Sequence, residues 1–192
     1  MPKQEIKIMV SSTVYGFEDR LKQICAAIEN YKNPRYKYTV LNSHIGTIFP
    51  GDNNEQGCID AVDECDFFFF FIRERYGSGI THREFNRAVQ LNKPRGFLTH
   101  YSVSFARQLL APYMYRSIKH RRKNRTFIFK KTSVFESIKI IEMYNEAIMD
   151  GAPGNRRKWA HEFGHIPGDE LRFIKTLFKD VDRLKAQIDG TI

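Results

Sequence analysis

The chain opens on a short apolar run, Ile6, Ile8, Met9 and Val10, which stops at the hydroxyl triplet Ser11, Ser12 and Thr13. The spacing then changes: Phe17, Leu21, Ile24, Cys25 and Ile28 recur at three- and four-residue steps, the signature of one helix face. These patterns predict a strand over 6–10, a turn, and a helix over 17–28. Residues 36–41 alternate and are rich in β-formers, which predicts a second strand, and Gly46, Pro50, Gly51 and Asn53 mark a loop over 46–54. A short amphipathic helix carrying Ile59, Val62 and Cys65 then leads through Asp66 into Phe67, Phe68, Phe69, Phe70, Phe71 and Ile72. Consecutive large apolar residues suit a strand covered on both faces, as a central parallel strand between two helix layers is; a half-exposed strand would alternate.

Tyr76, Gly77, Ser78 and Gly79 predict a turn, Thr81 opens a helix reaching about Leu91, and Lys93 with Pro94 ends it before a fourth apolar run over 96–99. Strands that alternate with helices in this way imply a parallel sheet with right-handed crossovers. Residues 105–118 predict another helix, 126–129 a fifth strand and 134–148 an amphipathic helix, which completes an α/β, flavodoxin-like, doubly wound five-stranded parallel sheet of order 2-1-3-4-5. A shift to Gly, Pro, Asn and Arg over 151–157 predicts a linker, dividing the chain into an α/β domain over 1–150 and a helical appendage over 151–192. In that appendage Leu171, Ile174, Phe178, Val181, Leu184 and Ile188 follow helical spacing. A helix packed back on the domain is expected, with a dimerising coiled coil as the alternative.

A length of 192 residues is enough for a substantial core and suits one domain with an appendage. Hydrophobic content of 42% against 28% charged residues excludes a disordered chain. No apolar stretch approaches the roughly 20 residues needed to cross a bilayer, and the N-terminus enters a strand pattern with no signal-peptide cleavage region. A cytoplasmic protein with no membrane partner is the expectation. Cys25, Cys58 and Cys65 lack C-x-x-C spacing and read as reduced core residues. The net charge of +9 favours anionic partners such as nucleotides, nucleic acid or acidic proteins.

Three segments carry a family resemblance: IKIMVSSTVYGFEDRLKQICAAIE, CIDAVDECDFFFFFIRERYG, and THREFNRAVQLNKPRGFL. Together they resemble the TIR-like family called domain of unknown function 4062, through V-S-S-T after the first strand, Asp66 before the third, R-Y-G at Arg75 to Gly77, and T-x-x-E-F ahead of N-K-P. That family is related to TIR domains and nucleoside deoxyribosyltransferases, many of which cleave the bond between a ribose and a base. In those relatives a glutamate early in the helix after the third strand acts on the sugar, and Glu84 holds the matching place. The resemblance thus implies NAD or a related nucleotide as substrate, no required cofactor, a defence or signalling setting, and assembly into a homo-oligomer.

Ligands of open parallel sheets bind beyond the carboxyl ends of the strands, where neighbouring crossovers leave on opposite faces. For this order the switch lies between the first and third strands, so Ser11, Ser12 and Thr13 should meet Arg73, Arg75, Tyr76 and Gly77 there. The hydroxyls of Ser11 and Ser12 and the backbone N–H groups of the first helix suit phosphate or ribose oxygens. Arg75 suits a diphosphate, and Tyr76 suits stacking on a base. A carboxylate beside a ribose stabilises or attacks the oxocarbenium-like centre that glycosidic cleavage creates, which is the role expected of Glu84. The spacing has another reading as well: Thr81 to Glu84 is a T-x-x-E capping box, and Ser11 and Ser12 are good helix caps. A non-enzymatic module that binds a nucleotide or a protein is the competing functional expectation.

Two further patterns compete with these. His161, Glu162 and His165 match H-E-x-x-H, the helical motif of zinc-dependent hydrolases, but Leu171 stands where the longer pattern has its third histidine, so no metal is expected. Arg116, Lys119, His120, Arg121, Arg122, Lys123 and Arg125 form a basic stretch that reads as a solvated face, with nucleic acid as the alternative partner.

Overall fold

The computed structural model describes residues 3–13, 15–41, 54–117, 122–149, 158–164 and 168–191. Its elements in chain order are β1 (Gln4–Ser12), α1 (Glu18–Glu29), β2 (Tyr36–Val40), α2 (Asn54–Glu64), β3 (Phe67–Ile72), α3 (Ile80–Gln90) and β4 (Arg95–His100). There follow α4 (Tyr101–Met114), β5 (Tyr115–Ser117), β6 (Arg122–Lys123), α5 (Lys139–Met149), β7 (Lys158–Phe163), α6 (Asp169–Lys179) and α7 (Val181–Ile188).

Every side chain of β3 is buried, and the strand serves two cores at once. Phe67, Phe69 and Phe71 pack with Leu21 and Ile24 of α1, Ile174 and Phe178 of α6, and Leu184 of α7. Phe68, Phe70 and Ile72 pack on the other face with Val62 of α2, Phe85 of α3, and Ile140, Ile141 and Tyr144 of α5. Side chains of a strand point alternately to its two faces, so an unbroken apolar run is what a double-covered strand requires. The five-stranded sheet runs β2-β1-β3-β4-β7 with every neighbouring pair parallel, the doubly wound order that the pattern predicts.

The source of the edge strand differs from the sequence reading. Residues 126–129 are not a strand: Phe127 and Phe129 reach the second core from irregular chain, while Ile128 is 82% exposed. The fifth strand is β7, paired with β4 from Arg95↔Lys158 to His100↔Phe163. The expected appendage over 151–192 therefore contributes a strand to the sheet as well as helices. The segment has aromatic residues at Trp159 and Phe163 but the polar His161 between them, so it shows no clean apolar alternation, and the overlapping motif drew the reading toward a helix. The apolar faces of α6 and α7 join the α1 core, with the Phe178 ring 4.5 Å from that of Tyr38 between centroids. The expected helix over 105–118 begins earlier and ends at Met114, where β5 turns back to pair with β6 in a two-stranded ribbon. Nearly all of the expected loop over 46–54, the whole linker over 151–157, and Lys119, His120, Arg121 and His165 lie outside the described residues. Among the described residues no helix is long and apolar enough to cross a membrane.

Candidate functional site

The carboxyl ends of β1 and β3 lie side by side, with Ser11 opposite Phe70 and Ser12 opposite Phe71. The chain leaves β1 toward the α1 layer and leaves β3 toward the α3 layer, so the two turns part from a shared crevice. Beyond the strand ends they stay close: Gly77 has φ +58°, and a Cβ there would lie 3.1 Å from Cγ2 of Thr13. The serine-threonine triplet and the Arg-Tyr-Gly triplet are therefore spatial neighbours.

Ser11 and Ser12 are the last residues of β1 and point to opposite faces. Ser11 Oγ donates a hydrogen bond to Oε2 of Glu84. Ser12 Oγ donates to the Thr13 carbonyl at 3.3 Å, and neither serine caps α1, whose N-cap is Phe17 without a side-chain hydrogen bond. The capping box is likewise not formed. Gly79, with φ +79°, is the N-cap of α3, so Thr81 already lies within the helix and leaves Glu84 a turn inside it. Glu84 is 3% exposed, and its carboxylate accepts hydrogen bonds from Ser11 and from the Cys58 thiol. Burial raises its pKa above the usual carboxylate range, against the opposing pull of those two donors and the Arg83 charge. Burial first, and then the negative charge of Glu84, push the Cys58 thiol up to about 12, which keeps it protonated and donating.

The Arg-Tyr-Gly turn is braced by aromatic rings and carboxylates. The Arg73 guanidinium lies 4.5 Å over Phe17, and that of Arg75 lies 4.4 Å over Tyr15. A stacked guanidinium keeps its in-plane donors for an anion. Tyr76 is engaged by protein groups: its hydroxyl is 2.9 Å from Nδ1 of His82, whose Nε2 is 2.6 Å from Glu146, and Lys139 approaches its ring. A Cβ at position 79 would come within 2.8 Å of the Tyr76 ring, so glycine there lets the ring fold back on the helix start. The backbone N–H groups of Tyr76 and Gly77 both donate to one oxygen of Glu136, the second at 2.7 Å. Arg73, Glu74, Arg75, Lys131 and Glu136 line an open groove of about 470 Å³ beside this turn; Glu84 is not part of its wall.

Against the groove stands a second carboxylate site. Glu74 pairs with Nδ1 of His100, the last residue of β4, and accepts a hydrogen bond of 2.6 Å from Ser102 Oγ. Burial by itself would raise the Glu74 carboxyl, but the His100 and Ser102 hydrogen bonds hold it down at about 2. A depressed carboxyl contributes stability above its unfolded value of 4.5 and loses it as pH falls through the folded value. Glu74→Gln is accordingly expected to melt at a lower temperature than the parent at neutral pH, with the gap closing between about pH 4.5 and 2 in acid melts followed by circular dichroism.

A family model described as Domain of unknown function (DUF4062) matches residues 7–151. The chain belongs to this family. None of the curated proteins matches the sequence. Among solved structures, translation elongation factor SelB from Methanococcus maripaludis, in complex with the GTP analogue GPPNHP, matches with a TM-score of 0.50 at 14% identity. That match covers 96% of this chain but 35% of the factor, so the chain spans about a third of its length. The CMP N-glycosidase BcmB of Clostridium botulinum matches with a TM-score of 0.45 at 13% identity, over 90% of this chain and 98% of that one. At 14% identity the likeness to the elongation factor is one of fold.

The described part of the H-E-x-x-H segment is a strand in this DUF4062 domain. His161 and Glu162 belong to strand β7 and not to the helix on which that motif places its ligands, and His165 lies outside the described residues. Glu162 accepts a hydrogen bond of 2.6 Å from Ser104, and among the described residues no group of three His, Cys, Asp or Glu side chains is placed to hold a metal ion. Sequence reasoning passed over Glu74, His100, Ser102 and Glu136 as site residues, and it read Cys58 as a core residue, whereas Cys58 is half-buried and donates to Glu84. The end of a parallel strand was a sufficient signal for His100. The contact of Glu136 with the β3 turn had none, because it joins irregular chain to backbone N–H groups far away in sequence.

Proposed function

We propose that this domain binds a nucleotide across the carboxyl ends of β1 and β3 and cleaves its N-glycosidic bond, with Glu84 as the carboxylate facing the ribose. The observation that carries this reading is the setting of Glu84. It leaves its own helix start uncapped, reaches the end of β1, and sits buried against Ser11 at the topological switch point. Perturbed carboxylates concentrate at functional sites. In cleavage the C1′–N bond breaks and the base leaves with the electron pair, while the carboxylate stabilises the cationic sugar or bonds to C1′ until water replaces it. With NAD the base leaves as neutral nicotinamide, so no strong general acid is needed. The guanidinium of Arg75 and the N–H groups of the Tyr76-Gly77 turn suit the phosphate end. A defence or signalling role and self-association accompany this reading as part of the proposal.

Incubation with NAD, AMP or adenosine at rising protein concentration, followed by chromatography of the released base, tests it. Release of base is the expected result; none from any of the three across the concentration range overturns the catalytic reading. The ionised form of Glu84 is the working one, so activity is expected to fall as pH drops through its raised pKa. Ser11→Ala removes a hydrogen bond that lowers that pKa. Its acid limb is therefore expected at higher pH than the parent's, and an unmoved limb would count against Glu84 as the titrating group.

The near-complete burial of Glu84 favours a second reading, a nucleotide- or protein-binding module in which the Ser11–Glu84 pair holds the strand ends together. A nucleotide that raises the melting temperature without being consumed would support it over cleavage.

A further inference from the structure

Two consecutive backbone N–H groups that converge on one oxygen form an anion-binding concavity. The turn after β3 has this form: Gly77 is in the left-handed region, and Tyr76 N–H and Gly77 N–H both point at Oε1 of Glu136. Around it stand Arg73, Arg75 and Lys131, in a groove of about 470 Å³. Among the described residues no carboxylate forms an ion pair with Arg75 or Lys131. The site has the chemistry of a phosphate cradle, and the anion in it belongs to the protein.

From the convergence of the Tyr76 and Gly77 N–H groups on Glu136 we infer that this carboxylate is a built-in phosphate mimic, which a diphosphate-bearing ligand must displace to enter the site. This rests on the reading that the phosphates of a nucleotide lie at the β3 turn, and on nothing about the fate of its base. The segment that carries Glu136 is fastened independently of the carboxylate. Phe135 is buried in the second core, its N–H donates to Thr132 Oγ1 at 2.8 Å, and its carbonyl accepts from Thr132 N–H at 2.8 Å. Glu136 itself is half-buried. Rotation of one side chain therefore vacates the cradle while its anchor stays in place. A diphosphate brings more charge and more acceptor oxygens than one carboxylate, and Arg75 and Lys131 give it partners that Glu136 leaves unpaired. Self-occupancy lowers apparent affinity by the fraction of time that the cradle is open. It also selects for ligands with more than one anionic group, because a single weak anion does not outcompete a tethered one.

Titration calorimetry with inorganic pyrophosphate at constant ionic strength tests the inference on four full-length proteins: the parent, Glu136→Gln, Glu136→Ala, and Glu136→Ala combined with Arg75→Ala. If the cradle is closed for nine-tenths of the time, emptying it tightens binding about tenfold. Glu136→Ala is expected to show that gain, Glu136→Gln a smaller one because its neutral carbonyl still accepts from the turn, and the double variant a loss of the gain. Circular dichroism melts identify folded variants, and the glutamine variant keeps the test decisive if the alanine variant unfolds. Equal or weaker binding by a folded Glu136 variant overturns the inference. So does a gain that survives Arg75→Ala, since the anion would then be binding elsewhere on a surface of net charge +9. Base release is measured separately: tightened pyrophosphate binding without base release would remove cleavage and leave the cradle, and base release with unchanged pyrophosphate binding would do the reverse.

Discussion

Glu84→Gln is expected to reduce base release by about 10²-fold or more, the usual cost of losing a group that stabilises charge in a transition state, and to raise the melting temperature at neutral pH. Both effects follow from one environment. The carboxyl is buried against Ser11 and Cys58, and burial raises its pKa above the usual carboxylate range. A raised carboxyl favours the folded state fully below its unfolded pKa and loses that contribution as pH rises through its folded pKa. Above its unfolded pKa the buried carboxyl therefore works against the fold. Glutamine fills the same volume without charge, and its carbonyl accepts the Ser11 hydroxyl. The stability gain should shrink in acid, where the parent carboxyl is protonated. Paired melts at several pH values and a base-release assay check the two halves. A variant as active as the parent would remove Glu84 from the chemistry, and a variant that melts lower at neutral pH would make the pair structural.

Phe70→Ala is expected to cost about 3–5 kcal/mol, the range for truncating a fully buried aromatic side chain. The ring stacks on Phe85 with centroids 5.0 Å apart and meets Phe97 at 5.5 Å, so it ties the central strand to α3 and β4 together. It also stands opposite Ser11 in the β1 pairing. The cavity would open directly beneath the proposed site, and activity should fall along with stability. Urea denaturation measures the effect; a loss below about 1 kcal/mol would mean that the second core collapses onto the gap instead of keeping its shape.

Much of this architecture was legible in one dimension because burial imposes periodicity. The phenylalanine run could only be a strand covered twice, and the helical spacing of Phe17 to Ile28 could only be one helix face. From these, the β-α alternation and its crossover rule place Ser11, Ser12 and Thr13 beside Arg75, Tyr76 and Gly77. The neighbourhood of the two turns was therefore in the sequence.

What remained for the tertiary structure was every choice between two local uses of the same residues. Thr81 to Glu84 spells a capping box as well as it spells a functional glutamate; the left-handed Gly79 starts the helix early and sends Glu84 to the end of β1. His161 and Glu162 fit a metal-binding helix by spacing, yet the free edge of β4 draws them into a strand. Glu136 had no mark at all in the sequence. Periodicity records which side chains are buried, because burial repeats with the backbone; it does not record which distant group a polar side chain will meet, because that depends on how whole elements pack.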